Sequence, residues 1–223
     1  MTKTLISCLA LATAMATAPL HAAPVMSLLP LGGVVSPGAT LDVDLQVSGL
    51  DASVPRTLLG AFDLSVQYDS ALLAPLAAAF SPGSRLGDAA DPAQTFYASD
   101  TSFAGTVRLL GLSLLEASAT DCVFCIGPFL ADLQGDSFSL GTLHFQVLDG
   151  AAPGSSVLLL PAADATLGDA GGATLSVTGD VSAIFVVPEP ATLPVAATAL
   201  LAAWLAGRGR RSGKMLRSPP PAG

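Results

Sequence analysis

The sequence predicts an all-β protein: one β-sandwich or jelly roll, with an N-terminal signal peptide before it and a C-terminal transmembrane helix after it. Three observations carry this. Apolar and polar residues alternate at period two through the middle of the chain. Gly, Pro and Asp clusters break that pattern at short intervals, with no long amphipathic helix between them. The two long uncharged apolar stretches stand at the chain ends.

Composition narrows the function classes. The 223 residues are 51% hydrophobic but only 12% charged, against about a quarter charged in an average soluble domain. An ordinary cytosolic enzyme does not look like this. A disordered acidic tail is excluded by the apolar content. Residues 24–187 hold three arginines (Arg56, Arg85 and Arg108), no lysine and sixteen acids, a net of −13. Nucleic-acid binding needs Lys and Arg to neutralise phosphates, so this segment is not built for it.

Lys3 begins the first end segment, and an apolar run from Leu5 to Leu20 follows. His21-Ala22-Ala23 then supplies small residues. A basic start, an apolar stretch and a small-residue site make a secretory signal, with cleavage after Ala22 or Ala23. An uncleaved anchor helix is the alternative; Pro19 and the Ala-rich end favour cleavage. Leu5-Ile6-Ser7-Cys8 precedes any apolar stretch of useful length, which discounts a lipoprotein signal.

The strands come next. Leu41, Val43, Leu45 and Val47 alternate with Asp42, Asp44 and Gln46. Phe62, Leu64, Val66 and Tyr68 alternate with Asp63, Ser65 and Gln67. Leu143, Phe145 and Val147 alternate with Thr142, His144 and Gln146, and Leu175, Val177 and Val181 continue the theme. These are strands with one wet face. Thr106–Leu115 and Ser156–Leu160 are more continuously apolar and read as central strands. Turns are expected at Ser36-Pro37-Gly38, Ser81-Pro82-Gly83, Asp149-Gly150, Ala152-Pro153-Gly154 and Gly168–Gly172.

This order of a Pro-Gly turn, Thr40–Val47, Phe62–Tyr68 running into Asp69-Ser70-Ala71-Leu72-Leu73, Thr106–Leu115 and Gly141–Phe145 resembles a cohesin module. The resemblance implies a nine-stranded jelly-roll sandwich related to carbohydrate-binding modules. In cellulosomes such modules bind dockerins through one face. Fold likeness does not transfer that role.

At the far end, Pro188-Glu189-Pro190 precedes the uncharged stretch Ala191–Gly207, and Arg208, Arg210 and Arg211 follow. As a helix the stretch would reach about 25 Å, the short end of a membrane span. The arginines should stay cytoplasmic, which puts residues 24–187 outside. A buried core helix with a loose tail is the alternative. The tripeptide, the span and the arginine cluster resemble a PEP-CTERM sorting signal of Gram-negative, polysaccharide-producing bacteria. The resemblance implies recognition by a membrane-embedded exosortase and cleavage near Pro188, Glu189 and Pro190. The tail Ser212–Gly223 is longer than that pattern usually has. The expected organisation is thus signal peptide 1–23, cohesin-like β-sandwich 24–187, sorting signal 188–211 and cytoplasmic tail 212–223.

Few residues offer chemistry. Cys122 and Cys125 are read as a structural disulfide in an exported protein. A thioredoxin-like redox site lacks its strand–helix context, and with His144 they make at most three zinc ligands where a structural site takes four. Any Ser-His-Asp mechanism would have to use His144 from mid-strand; it is read as a solvated strand residue. Asp42 and Asp44 share a strand face without marks of a catalytic pair. Asp164 and Asp169 beside a Gly-rich turn are the candidates for calcium, though their spacing fits no EF-hand, and they read as solvated turn acids. No cofactor is assigned. Phe96-Tyr97, placed in a polar loop, is the one exposed aromatic platform, since Trp204 lies in the span.

The expectation is an exported, non-enzymatic protein. It is held in the inner membrane with its ectodomain in the periplasm, then sorted by an exosortase to the cell surface or outside. There it plays a structural or adhesive part among exopolysaccharide or surface proteins, as in biofilm. A permanently anchored periplasmic module binding protein or carbohydrate is one alternative, and a secreted glycan-active enzyme is another.

Overall fold

The computed structural model describes residues 23–187 apart from residues 33, 55–56, 150 and 152–153. Ala22, the sorting tripeptide Pro188–Pro190 and the arginines Arg208, Arg210 and Arg211 lie outside the described residues, as do the signal segment and the C-terminal span; Ala23 opens the described chain in irregular structure. No helix among the described residues is long and apolar enough to cross a membrane.

In chain order the strands are β1 (Val25–Pro30), β2 (Thr40–Ser48), β3 (Leu59–Gln67), β4 (Leu73–Pro82), β5 (Thr95–Asp100), β6 (Thr106–Ser113), β7 (Ser137–Val147), β8 (Gly154–Leu160), β9 (Ala165–Asp169), β10 (Thr174–Leu175) and β11 (Val181–Val187). One four-residue helix, α1 (Leu130–Leu133), precedes β7. The strands form two sheets, β1-β2-β7-β4 and β10-β9-β3-β6-β5, and β8 pairs with β11 and touches β3 at Gln67↔Leu159. A short parallel bridge, Val34↔Val186, ties β11 to the chain just after β1. This is an all-β sandwich.

The alternation sets the core. Leu41, Val43, Leu45 and Val47 of β2 face Phe62, Leu64 and Val66 of β3, joined by Leu143, Phe145 and Val147 of β7. Their polar neighbours point out because successive strand side chains alternate faces. Aromatic rings bridge the sheets. Phe62 of β3 meets Phe80 of β4 edge-to-face at 6.3 Å, and Tyr97 of β5 lies 6.3 Å from Phe62. Tyr68, just past β3, sits 5.2 Å from Phe145. Gly111 on β6 makes room for this cluster: a Cβ there would lie 2.3 Å from the Phe62 ring.

The turn expected at Ser36-Pro37-Gly38 forms, with Ala39 N–H donating to Ser36 O and Gly38 at φ 80°. Three expectations are corrected. Ser81 and Pro82 are not a turn but the end of β4, paired with Thr142 and Gly141; β4 is an edge strand, whose open side tolerates proline. Phe96 and Tyr97 are not in a loop but in β5, on opposite faces. Finally, β6 is buried on one face only, because nothing among the described residues covers the outside of its sheet.

Candidate functional site

The outer face of β5 and β6 is the most unusual surface. Along β6, Val107 and Leu109 point inward and Arg108, Leu110 and Leu112 point outward. Leu110 is 37% exposed, Leu112 41% and Leu114, just beyond the strand, 52%. Phe96 on β5 stands opposite Leu112 and is 52% exposed; Ala98 stands opposite Leu110. A contiguous apolar strip on an open sheet face marks an interaction surface more often than chance exposure does.

The strip continues into the 116–129 loop. Val123, Phe124 and Ile126 are each at least 73% exposed. A shallow groove of about 340 Å³ joins strip to loop, lined among others by Gln94, Leu114, Phe124, Ile126 and Pro128. The loop is held from within. Glu116 accepts backbone N–H bonds from Val123, from Phe124 at 2.7 Å and from Ile126 at 3.4 Å. Those donors, Phe124 foremost, hold its carboxyl below the usual range. Cys122 and Cys125 are disulfide-bonded across the tip, with Cys125 at φ 56°. The apolar side chains are thus presented on a braced backbone.

Charge borders the strip. Arg108 donates to both carboxylate oxygens of Asp63, at 2.9 and 2.6 Å, which lowers the Asp63 pKa. Asp100 lies opposite Arg108; the Ser102 backbone N–H is the main cause of its lowered pKa. Asp91 and Glu116 edge the groove at the other end. Inside the sheet, Tyr97 donates to Gly83 O at 3.2 Å, and burial pushes its pKa up to about 12.

The outer face of the four-stranded sheet is different in kind. On β2, β7 and the end of β4 its outward residues are largely polar and bonded to one another, while at the β1 edge Val25 and Leu29 are 42% and 43% exposed. Asp44 accepts from Gln46 at 2.7 Å and from the Ser139 hydroxyl. Asp42 meets His144 Nδ1 at 2.7 Å, and His144 Nε2 meets Ser81 Oγ at 2.7 Å.

The candidates from sequence fare unevenly. Asp42 and Asp44 do share a face but serve separate networks. Asp164 and Asp169 sit at opposite ends of β9; Asp164 accepts from Gln67, and Asp169 caps its own turn through Gly171 and Ala173 N–H groups. No group of three metal-ligating side chains occurs among the described residues. His144 is linked to Asp42 and Ser81, which stand 102 and 63 positions away in sequence. Sequence reasoning missed the apolar strip because a continuous apolar run reads as buried on both faces. Arg108, which shares the parity of Leu110 and Leu112, was the available sign that this face is wet.

No family model and no curated protein sequence matches this chain. Solved structures share its fold. A cohesin module from a family 33 glycoside hydrolase of Clostridium perfringens has a TM-score of 0.53 at 15% identity, covering 75% of this chain and 98% of its own. A type II cohesin domain from the cellulosome of Acetivibrio cellulolyticus has a TM-score of 0.52 at 15% identity, with coverages of 74% and 95%. A chain of a type I cohesin–dockerin complex from Clostridium thermocellum has a TM-score of 0.50 at 14% identity, with coverages of 77% and 99%. At these identities the likeness establishes a cohesin-like β-sandwich, and the fold alone.

Proposed function

We propose that this chain is an exported, non-enzymatic binding module that docks a protein through the outer face of β5 and β6 and serves a structural or adhesive role among extracellular polymer. The observation that carries the reading is the strip of Phe96, Leu110, Leu112 and Leu114, open to solvent beside a braced apolar loop. This face carries a contiguous apolar row beside the apolar loop that gains by being covered, whereas the exposed apolar residues of the other outer face, Val25 and Leu29, stand at its β1 edge. The other already satisfies its polar groups internally. The dockerin-bound relative of the same fold supports a protein partner over a small molecule.

The strip is also well placed on a tethered chain. The last described strand ends at Val187, with Val186 O accepting from Val35 N–H, near the Val147 end of β7. The 116–129 loop lies at the Ser137 end, where Gln134 bonds Leu59. Those ends of β7 are separated by about 30 Å. In this reading the signal peptide is removed at Ala22 or Ala23. An exosortase then acts at Pro188–Pro190 while the span and Arg208–Arg211 hold the chain in the inner membrane, and the freed ectodomain joins the surface polymer.

The test is made on the full chain in the producing cell. Leu110→Asp with Leu112→Asp should leave the melting temperature of the recovered protein within a few degrees and reduce the fraction retained at the surface. C-terminal peptide masses read the sorting step: an end near Pro188–Pro190 on surface protein supports it. Surface protein that retains Arg208–Arg211 would sink it. Unchanged retention of the double variant would sink the docking face.

A further inference from the structure

We propose that Ser81 is an activated nucleophile, a covalent acceptor site for the acyl group of a carboxylic ester. The site lies on the polar sheet, away from the docking strip, and rests on none of that reading.

The order of atoms is what the chemistry requires. A carboxylate accepts and cannot donate, so Asp42 Oδ1, at 2.7 Å, holds the proton on His144 Nδ1. His144 Nε2 then turns its lone pair to the Ser81 hydroxyl, also at 2.7 Å. This is the nucleophile, base and orienting carboxylate in hydrogen-bond contact.

The fold sets these three residues on adjacent strands. Asp42 of β2 is paired directly with His144 of β7. On the other side, β4 pairs Pro75 with Phe145 and then Phe80 with Leu143, so Leu76–Ala79 bulge opposite His144. Bulges re-aim side chains, and here the strand beyond returns Ser81 to the imidazole. Gly141 permits the approach: a Cβ there would lie 2.4 Å from Ser81 O. Ser81 itself is exposed on an edge strand, while the His144 side chain is only 22% exposed. An open face suits an ester carried on an accessible polymer better than a small molecule enclosed in a cleft.

The step balances without a cofactor. Ser81 Oγ bonds to the ester carbonyl carbon and its proton passes to His144 Nε2. The bond to the leaving alcohol breaks, and that alcohol takes the proton from Nε2. The products are O-acyl-Ser81 and the free alcohol. Where the polymer is on the acyl side, the domain becomes attached to it.

The experiment treats the intact protein with a fluorophosphonate probe and with p-nitrophenyl acetate, then locates adducts by peptide mass. The expected result is an adduct on Ser81, absent in Ser81→Ala and formed about a hundredfold more slowly in His144→Gln. Asp42→Asn should slow it too. Labelling of Ser81 no faster than of exposed Ser84 or Ser102 would overturn the proposal. That comparison is made on the wild-type protein and needs no variant to fold.

Discussion

The side-chain amide of Gln134 is bonded to both backbone groups of Leu59: its Oε1 accepts from Leu59 N–H at 2.8 Å and its Nε2 donates to Leu59 O at 2.7 Å. Gln134 is buried, and Nε2 also reaches Arg85 O at 3.2 Å. The glutamine thus completes the start of β3 as a neighbouring strand would, and it fastens the segment after α1 to the core. Gln134→Ala leaves buried backbone groups without partners, each worth about 1–3 kcal/mol. The expected loss is about 2–4 kcal/mol in urea unfolding, with the slope unchanged.

Gly111 is fixed by the Phe62 ring. Gly111→Ala should cost about 1–3 kcal/mol through overpacking. Phe62→Leu should cost a similar amount alone but relieve part of the Gly111→Ala penalty when combined. The double-mutant cycle checks this, since residues in contact do not add.

Tyr97 ties pH to stability at the alkaline end. Burial raises its folded pKa to about 12 from 10.0. Between those values the folded state holds a proton that the unfolded state has lost. Its contribution is fully present below pH 10 and declines as pH rises through 12. An ultraviolet titration should show a phenolate step near pH 12 that Tyr97→Phe removes.

Glu116 governs the apolar loop. Its folded pKa is held below 4.5 by the loop N–H groups, so its bracing is present above pH 4.5 and weakens as pH falls through the lowered value. Glu116→Ala should speed chymotryptic cleavage beside Phe124 at neutral pH with Cys122–Cys125 still joined. Cleavage equal to wild type would mean the disulfide alone shapes the loop.

Much of the sandwich is legible in one dimension. Asp42, Asp44 and Gln46 between Leu41, Val43, Leu45 and Val47 admit only a strand with one wet face, because the period of two is local geometry. The strands β4 and β5 were not legible: Leu73–Pro82 carries two prolines and an alanine run, and Phe96-Tyr97 stands among polar residues. Both are edge strands, specified by the neighbour they pair with more than by their own pattern.

The sequence by itself determined the all-β class, the inward faces of β2, β3 and β7, and the strong acidity of residues 24–187. Those depend on residues near each other in the chain or on simple counts. Only the tertiary structure decided that Leu110 and Leu112 face solvent, that Glu116 braces the loop, and that Asp42, His144 and Ser81 meet. The first and last depend on strand order and register, which join residues as far as 102 positions apart, and no local pattern encodes which strand will lie beside which; the Glu116 brace spans 7 to 10 positions and depends on how the loop backbone folds back onto the carboxylate.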